Sequence, residues 1–182
     1  MMDDSFWEQY ADNAESHYNE EFAKFIGDLT ISLKCSSVLE IGCNAGNDLK
    51  LFSESIKVNG LDYNEKIIDI AKKRFPAFDF KKGSVTNMPY EDSSIDLVFT
   101  HGFFNYLKDD MIDDAVAEMY RVAKKYIVNC EISNQNIAEK NNRKGRDMYK
   151  RWLEYNVKII SNVEMHEDIE PEKAVFVLVR KL

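Results

Sequence analysis

The sequence predicts an α/β fold: a doubly wound sheet, mostly parallel, with one antiparallel strand at its C-terminal end. Three observations predict it. Short apolar runs alternate with helical patterns along most of the 182 residues. Gly and Pro, seven and three in number, fall mostly at the boundaries between these runs. The last two apolar runs follow each other across only about ten residues. A parallel return needs a dozen or more, so this closing pair forms an antiparallel hairpin.

The length suits a single domain, with residues 1–35 as an N-terminal helical arm and 36–182 as the α/β core. SSVLEIG (36–42) reads as a buried strand, and roughly 46–55 as a helix. KVNGLD (57–62) is a second strand. Asn64 caps a helix whose Ile67, Ile68, Ala71 and Phe75 share one face, and Pro76 marks its end. FDFKK (78–82) is a third strand, and a turn-rich loop, GSVTNMPYEDSS, leads to a fourth, IDLVFT (95–100). Asp109 or Asp110 opens a helix with Ile112, Val116, Met119 and Ala123 inward; YIVNCEI (126–132) is the fifth strand. After an irregular polar stretch, a helix near 145–155 precedes VKIISNV (157–163) and AVFVLVRK (174–181).

Composition excludes several classes. Hydrophobic residues at 45% and charged residues at 31% describe an ordinary globular chain. No stretch approaches the ~20 apolar residues of a membrane span, and the acidic start MMDDSFWEQY lacks a secretory core. A cytoplasmic protein is expected. Thirty-two acids against 24 bases give a net charge of −8, which disfavours nucleic acid as a partner. Cys35, Cys43 and Cys130 form no C-x-x-C pair, and His17, His101 and His166 are scattered, so reduced thiols and no metal are expected.

The most informative stretch is VLEIGCNAGNDL (38–49). An apolar strand ends in Glu40; Gly42 and Gly46 follow, with Asn44 between them. In a doubly wound sheet the ligand sits beyond the carboxyl ends of the strands, which places this loop at the site. Gly42 permits a tight turn, and Gly46 lets the backbone approach a ligand. Asp62 ends the second strand, twenty residues beyond Gly42, where an acid accepts hydrogen bonds from ribose hydroxyls. The dinucleotide fingerprint G-x-G-x-x-G fails at two of its glycines, and Glu40 would repel a pyrophosphate. An acid there suits a cationic amine or sulfonium, although Glu40 could also merely cap the following helix.

E-x-G-x-x-x-G, the acid ending strand two, and the strand end DLVFTHG resemble the class I S-adenosylmethionine-dependent methyltransferases, of Rossmann-like fold, from about residue 36 onward. The resemblance implies S-adenosylmethionine as cofactor, with Glu40 near its methionine end and Gly42, Cys43, Asn44 and Gly46 shaping the loop around it. Asn44 replaces the usual glycine, but Asn tolerates unusual φ better than most residues. The resemblance puts Asp62 on the ribose, Tyr63 against the adenine and Ser84 and Val85 at its edge. Many members have an acid where this chain has Ser84. Thr100 and His101 fall at the strand-four end, near the transferred methyl. FWEQY, FTHGFFNYL, KKYIVNCE and NRKGRDMYKRW are further similar to the pseudaminic-acid-biosynthesis-associated methylases, which implies an acidic sugar or nucleotide-linked sugar as substrate.

His101 is the candidate catalytic base, though it could equally bond a backbone carbonyl; aligned methyl transfer does not require a base. Phe6, Trp7, Tyr10 and Tyr18 form either a helix packed on the sheet edge or a lid, with Tyr10 reaching the site. Cys43 reads as a small lining residue rather than a nucleophile. Arg143, Lys144, Arg146, Lys150 and Arg151 form the one dense basic run. It is either a solvated face or a grip for an anionic small-molecule substrate, with Arg143, Arg146 and Tyr149 as contacts. The expected function is methyl transfer to a small metabolite. The alternatives are a non-catalytic binder of S-adenosylmethionine or S-adenosylhomocysteine, a partner subunit, and a nicotinamide-dependent oxidoreductase.

Overall fold

A computed structural model describes residues 3–133 and 143–182. The chain opens with α1 (Asp4–Asp12) and α2 (Glu20–Ser32), joined by a 3-10 turn at Ala14–His17. Asp3 and Asn19 cap these helices, accepting the backbone N–H of Phe6 and of Phe22. The core then runs β1 (Ser37–Ile41), β2 (Lys57–Asp62), α3 (Glu65–Arg74), β3 (Asp79–Lys82), β4 (Ile95–His101), α4 (Ile112–Val122) and β5 (Ala123–Glu131). It closes with α5 (Met148–Trp152), β6 (Val157–Glu164) and β7 (Val175–Lys181). No described helix is long and apolar enough to cross a membrane.

The seven strands pair in the order β3-β2-β1-β4-β5-β7-β6. Strands β1 to β5 run parallel, and β7 is antiparallel to both β5 and β6. One strand therefore opposes six, as the closing hairpin predicts. The order reverses between β1 and β4, so the crevice beyond the carboxyl ends of those strands is the place for a ligand.

Each face of the sheet has its own core. Phe22 and Ile26 of α2 and Ile68 and Ala71 of α3 cover one face against Val38, Leu97, Phe99 and Val128. Ala115, Val116 and Met119 of α4 and Trp152 of α5 cover the other against Leu39, Val98 and Ile127. Trp152 is fully buried and donates its indole N–H to Asn129 Oδ1 at 2.7 Å, which pins α5 to β5.

Three elements differ from their sequence expectation. Residues 46–55 form no α-helix but successive tight turns, with Leu49, Lys50 and Phe52 each donating to the carbonyl three residues back. The left-handed conformations of Asn44 and Gly46 start this segment off the helical path. Helix α4 begins at Ile112, after a 3-10 turn, because the Asp109 carboxylate is engaged by Lys144 and Arg146 rather than by the helix N-terminus. Helix α5 is confined to Met148–Trp152, with Asp147 as its cap.

Candidate functional site

The loop after β1 is fixed by backbone geometry first. Gly42 has φ +72° and donates its N–H to Leu61 O at 2.8 Å. A Cβ there would lie 2.3 Å from the Phe103 ring, which therefore packs directly on the loop. Asn44 takes φ +46°, and its Oδ1 accepts the Ala45 N–H at 2.8 Å, so the side chain supports the left-handed turn that glycine would otherwise supply. Gly46 has φ +78°, and a Cβ on it would meet the Phe75 and Phe80 rings at 3.1 Å. Its lack of a side chain makes room for those two rings.

Asp62 closes the loop from β2. Its Oδ1 accepts the Asn64 N–H at 3.0 Å and its Oδ2 the Asn44 N–H at 3.2 Å. Burial raises its affinity for a proton, while those backbone donors oppose the rise. Each oxygen keeps a second lone pair for a further donor. Tyr63 is half exposed and donates its hydroxyl to Asp4 Oδ1 at 2.6 Å. Val85 is buried, and Ser84 Oγ lies 2.8 Å from Thr86 Oγ1. Cys43 is buried beside Asp62 and Glu40; burial foremost, then those acids, raise its pKa well above the ordinary thiol value, which leaves it inert.

The crevice holds a cluster of buried acids around one imidazole. Glu40 is 5% exposed, and its Oε2 has no hydrogen-bond donor. Burial, reinforced by the neighbouring Asp48 carboxyl, raises its pKa well above the usual carboxylic range. His101 lies flat on Phe22, with ring centres 3.6 Å apart. Its Nδ1 is 2.6 Å from Asp48 Oδ2 and its Nε2 is 2.7 Å from Glu170 Oε2. Burial alone would disfavour the imidazolium, but the two carboxylates overcome it and raise the pKa well above the ordinary histidine value. Burial likewise works against the Glu170 charge, yet the His101 contact leaves its pKa lowered. Both ring nitrogens of His101 are thus engaged by carboxylates, an arrangement that works against the general-base role expected of it. Asp48 and Glu170 were not foreseen. Asp48 follows Gly46 by two residues and could have been suspected; nothing local marks Glu170, 69 residues from His101.

The other half of the crevice lies beyond β4 and β5. Thr100 is fully buried, and its Oγ1 accepts from Asn129 Nδ2 at 2.8 Å, so it faces the sheet interior. Glu131, also unforeseen, is 1% exposed; its Oε2 accepts the Asn105 N–H, and its Oε1 has no donor. Burial pushes its pKa up to about 7. It lines an open cleft of 420 Å³ together with Tyr149, Met148, Asn162 and Val177.

The basic run is neutralised within the fold. Arg143 pairs with Glu172, Lys144 and Arg146 with Asp109, Lys150 with Asp147, and Arg151 with Asp113. Arg146 also donates to Phe104 O at 2.8 Å and to Leu107 O at 2.6 Å. Its guanidinium thus holds the loop after β4, and the residue also lines the cleft beside Glu131 and Tyr149. Arg143 additionally bonds Tyr106, yet its buried Nε has no acceptor. Among the described residues no group of His, Cys, Asp and Glu has a metal-holding arrangement.

The N-terminal arm lies across this region. Ala11 and Ala14 pack on Ala45 and Ile67. Asn47 donates to Ala14 O at 2.8 Å, and the Trp7 indole meets Tyr106 edge-on at 4.8 Å between ring centres. Tyr10 stacks on His17 at 3.8 Å; burial, then the Asp48 charge, push its pKa up to about 12.

Residues 38–126 match the profile of a methyltransferase domain family. The tRNA N(3)-methylcytidine methyltransferase of Schizosaccharomyces pombe is 28% identical over 140 residues, 65% of this chain and 45% of that protein. The ubiquinone/menaquinone biosynthesis C-methyltransferase of Campylobacter jejuni is 26% identical over 97 residues, 48% of this chain and 40% of that protein. The chain thus spans less than half the length of these relatives. A solved phosphoethanolamine N-methyltransferase 1 from Haemonchus contortus, in complex with phosphoethanolamine and S-adenosylhomocysteine, superposes with a TM-score of 0.75. That match has 19% identity and covers 98% of this chain and 48% of the other.

Proposed function

We infer that this chain, which carries a class I S-adenosylmethionine-dependent methyltransferase domain, moves the methyl group to a small acceptor held beside Glu131. The cofactor's needs fit the residues present. The Glu40 oxygen that no protein donor reaches suits the methionine ammonium, and the spare lone pairs of Asp62 suit ribose hydroxyls. Tyr63 and Val85 would flank the adenine, and the left-handed Gly42 and Asn44 would shape the loop around the cofactor. When bound, S-adenosylmethionine supplies an electrophilic methyl on a sulfonium centre.

The observation that carries the acceptor reading is Glu131. A buried carboxyl whose pKa is pushed up to about 7, with Thr100 within hydrogen-bonding reach and one oxygen short of a donor, beside a cleft, is matched to accept a proton from a hydroxyl or amine. The cleft is sized for a small molecule. The Trp7–Tyr106 contact supports the arm as a lid that excludes water. The relatives' names point to settings as unlike as tRNA methylation and ubiquinone/menaquinone biosynthesis, so they do not choose among acceptors for this chain.

A second reading, the acidic or nucleotide-linked sugar of the pseudaminic-acid setting, is favoured by one observation: the Arg143 Nε lacks an acceptor that an anionic group would supply. Incubation with methyl-labelled S-adenosylmethionine and a panel of amines, polyols, nucleotide-linked sugars and tRNA tests both. Label should pass to a small amine or hydroxyl compound, and Glu131→Gln should abolish the transfer. Label only in tRNA would refute a small acceptor, and no label in any acceptor despite cofactor binding would favour a non-catalytic binder.

A further inference from the structure

We propose that Glu40 and Asp48 share one proton in the free protein and release it when the cofactor's ammonium takes its place. The proposal rests on the reading that this site binds S-adenosylmethionine. Asp48, which no motif assigns, becomes part of the cofactor site.

The geometry begins with Glu40 Oε2, buried and reached by no donor. The carboxyl within hydrogen-bonding reach of Glu40 is that of Asp48, itself 8% exposed. Two carboxylates in such contact do not both ionise; a proton between them turns repulsion into a hydrogen bond. His101 decides which of them stays ionised. Its Nδ1 lies 2.6 Å from Asp48 Oδ2, so the imidazolium pairs with Asp48 and the shared proton is left to Glu40. The other groups facing the pair do not supply a second cation. From the loop comes the Cys43 thiol, from β2 Asp62 and from β5 Cys130. The arm contributes Tyr10 and Tyr18, and the turn ahead of β7 contributes Glu170, already bonded to His101. Asp48 and Glu170 both draw on the charge of His101, with Arg143 adding a weaker pull on Glu170, so an ionised Glu40 would have only a share of His101 as its counter-charge.

An ammonium supplies it. The exchange balances: Glu40–COOH and a ligand –NH3⁺ give Glu40–COO⁻ paired with –NH3⁺, and one proton leaves to solvent. No covalent bond besides that O–H is made or broken. Cofactor affinity therefore rises with pH, toward tenfold per unit, up to the pH at which the pair loses its proton unaided. Over that range the raised pKa keeps His101 charged and the lowered pKa keeps Glu170 ionised, so neither contributes a competing proton.

Calorimetry with S-adenosylhomocysteine, at pH 7 in phosphate and in Tris, reads the released proton directly. The observed heats should differ between the two buffers in proportion to the protons released. Glu40→Gln imitates the protonated acid, including its donor toward Asp48. It should fold, bind more weakly and show heats independent of buffer. Should that variant fail to fold, Asp48→Asn removes the charge that keeps Glu40 protonated, and the release should fall in the same way. Wild-type binding with equal heats in both buffers would overturn the proposal, as would full proton release retained in Glu40→Gln. Failure of the folded wild type to bind S-adenosylhomocysteine at all would instead remove the proposed function on which this rests.

Discussion

Glu170 reaches from the turn ahead of β7 to place its Oε2 2.7 Å from His101 Nε2, at the end of β4. The bond ties the last strand pair to the middle of the sheet through a buried ion pair, and Phe22 of α2 seals it from below. Removing one member strands the others. His101→Asn should destabilise the protein by about 3–5 kcal/mol, the usual result of breaking a buried pair. The pH dependence has a definite sign. A histidine with a raised folded pKa contributes fully below its unfolded value of about 6.5, and the contribution is lost as pH rises through the folded value. The stability difference between wild type and His101→Asn, followed by urea denaturation, should therefore shrink from pH 6 upward. A difference that grew with pH would contradict the ion-pair description.

Arg146 and Arg143 should separate cleanly. Arg146→Gln loses its donors to Phe104 O and Leu107 O, which should cost about 2–4 kcal/mol. Arg143→Gln loses a pair with a largely exposed Glu172 and should cost under about 1 kcal/mol. Thermal melts report the contrast, since each kcal/mol shifts Tm by roughly 2–4 °C at this size.

Asp62 serves both loop and ligand. Asp62→Ala should weaken S-adenosylhomocysteine binding tenfold to a hundredfold, from about 1.5–3 kcal/mol for hydrogen bonds to a charged group. The protein should remain folded, because the residue ends a strand rather than filling the core. Calorimetry showing wild-type affinity in a folded variant would take Asp62 out of the site.

Gly46→Ala meets two obstacles at once, φ +78° and phenylalanine rings at 3.1 Å from the new methyl. A loss of about 1–3 kcal/mol is expected, read as a lowered urea midpoint. Asn44→Gly, by contrast, keeps the left-handed turn and gives up only the Ala45 contact, so its midpoint should move little.

Trp7→Ala removes the edge-on contact with Tyr106. If the arm is a lid, the variant should release S-adenosylhomocysteine faster in stopped-flow displacement while its core melts normally. An unchanged release rate would leave the arm as sheet-edge packing.

Strands β1 to β7 and α3 were legible because each rests on local pattern: apolar runs, an Asn64 cap, a Pro76 stop. The segment at 46–55 was not, because its apolar Leu49, Leu51 and Phe52 suit a helix while the backbone before them is already left-handed at Asn44 and Gly46. Within the site, Glu40, Gly42 and Asp62 were readable from spacing in one stretch of chain. Glu131 and Glu170 were not, since an acid in a run such as NCEIS or DIEPE looks solvent-facing until the fold buries it. The internal pairing of the basic run was hidden for a similar reason. Its partners Asp109, Asp113 and Glu172 lie roughly 30–40 residues away, and no linear pattern shows that they are met.

The position of β7 between β5 and β6 has a consequence for synthesis. A ribosome delivers β6 before β7, yet among the described residues β6 pairs only with β7, which connects it to the rest of the sheet. While residues 165–181 are still emerging, VKIISNVE waits as an orphan strand, and β5 presents an open edge with Ile127 and Val128 on it. The nascent chain is then at its most adhesive, and prompt arrival of one seven-residue segment ends the exposure.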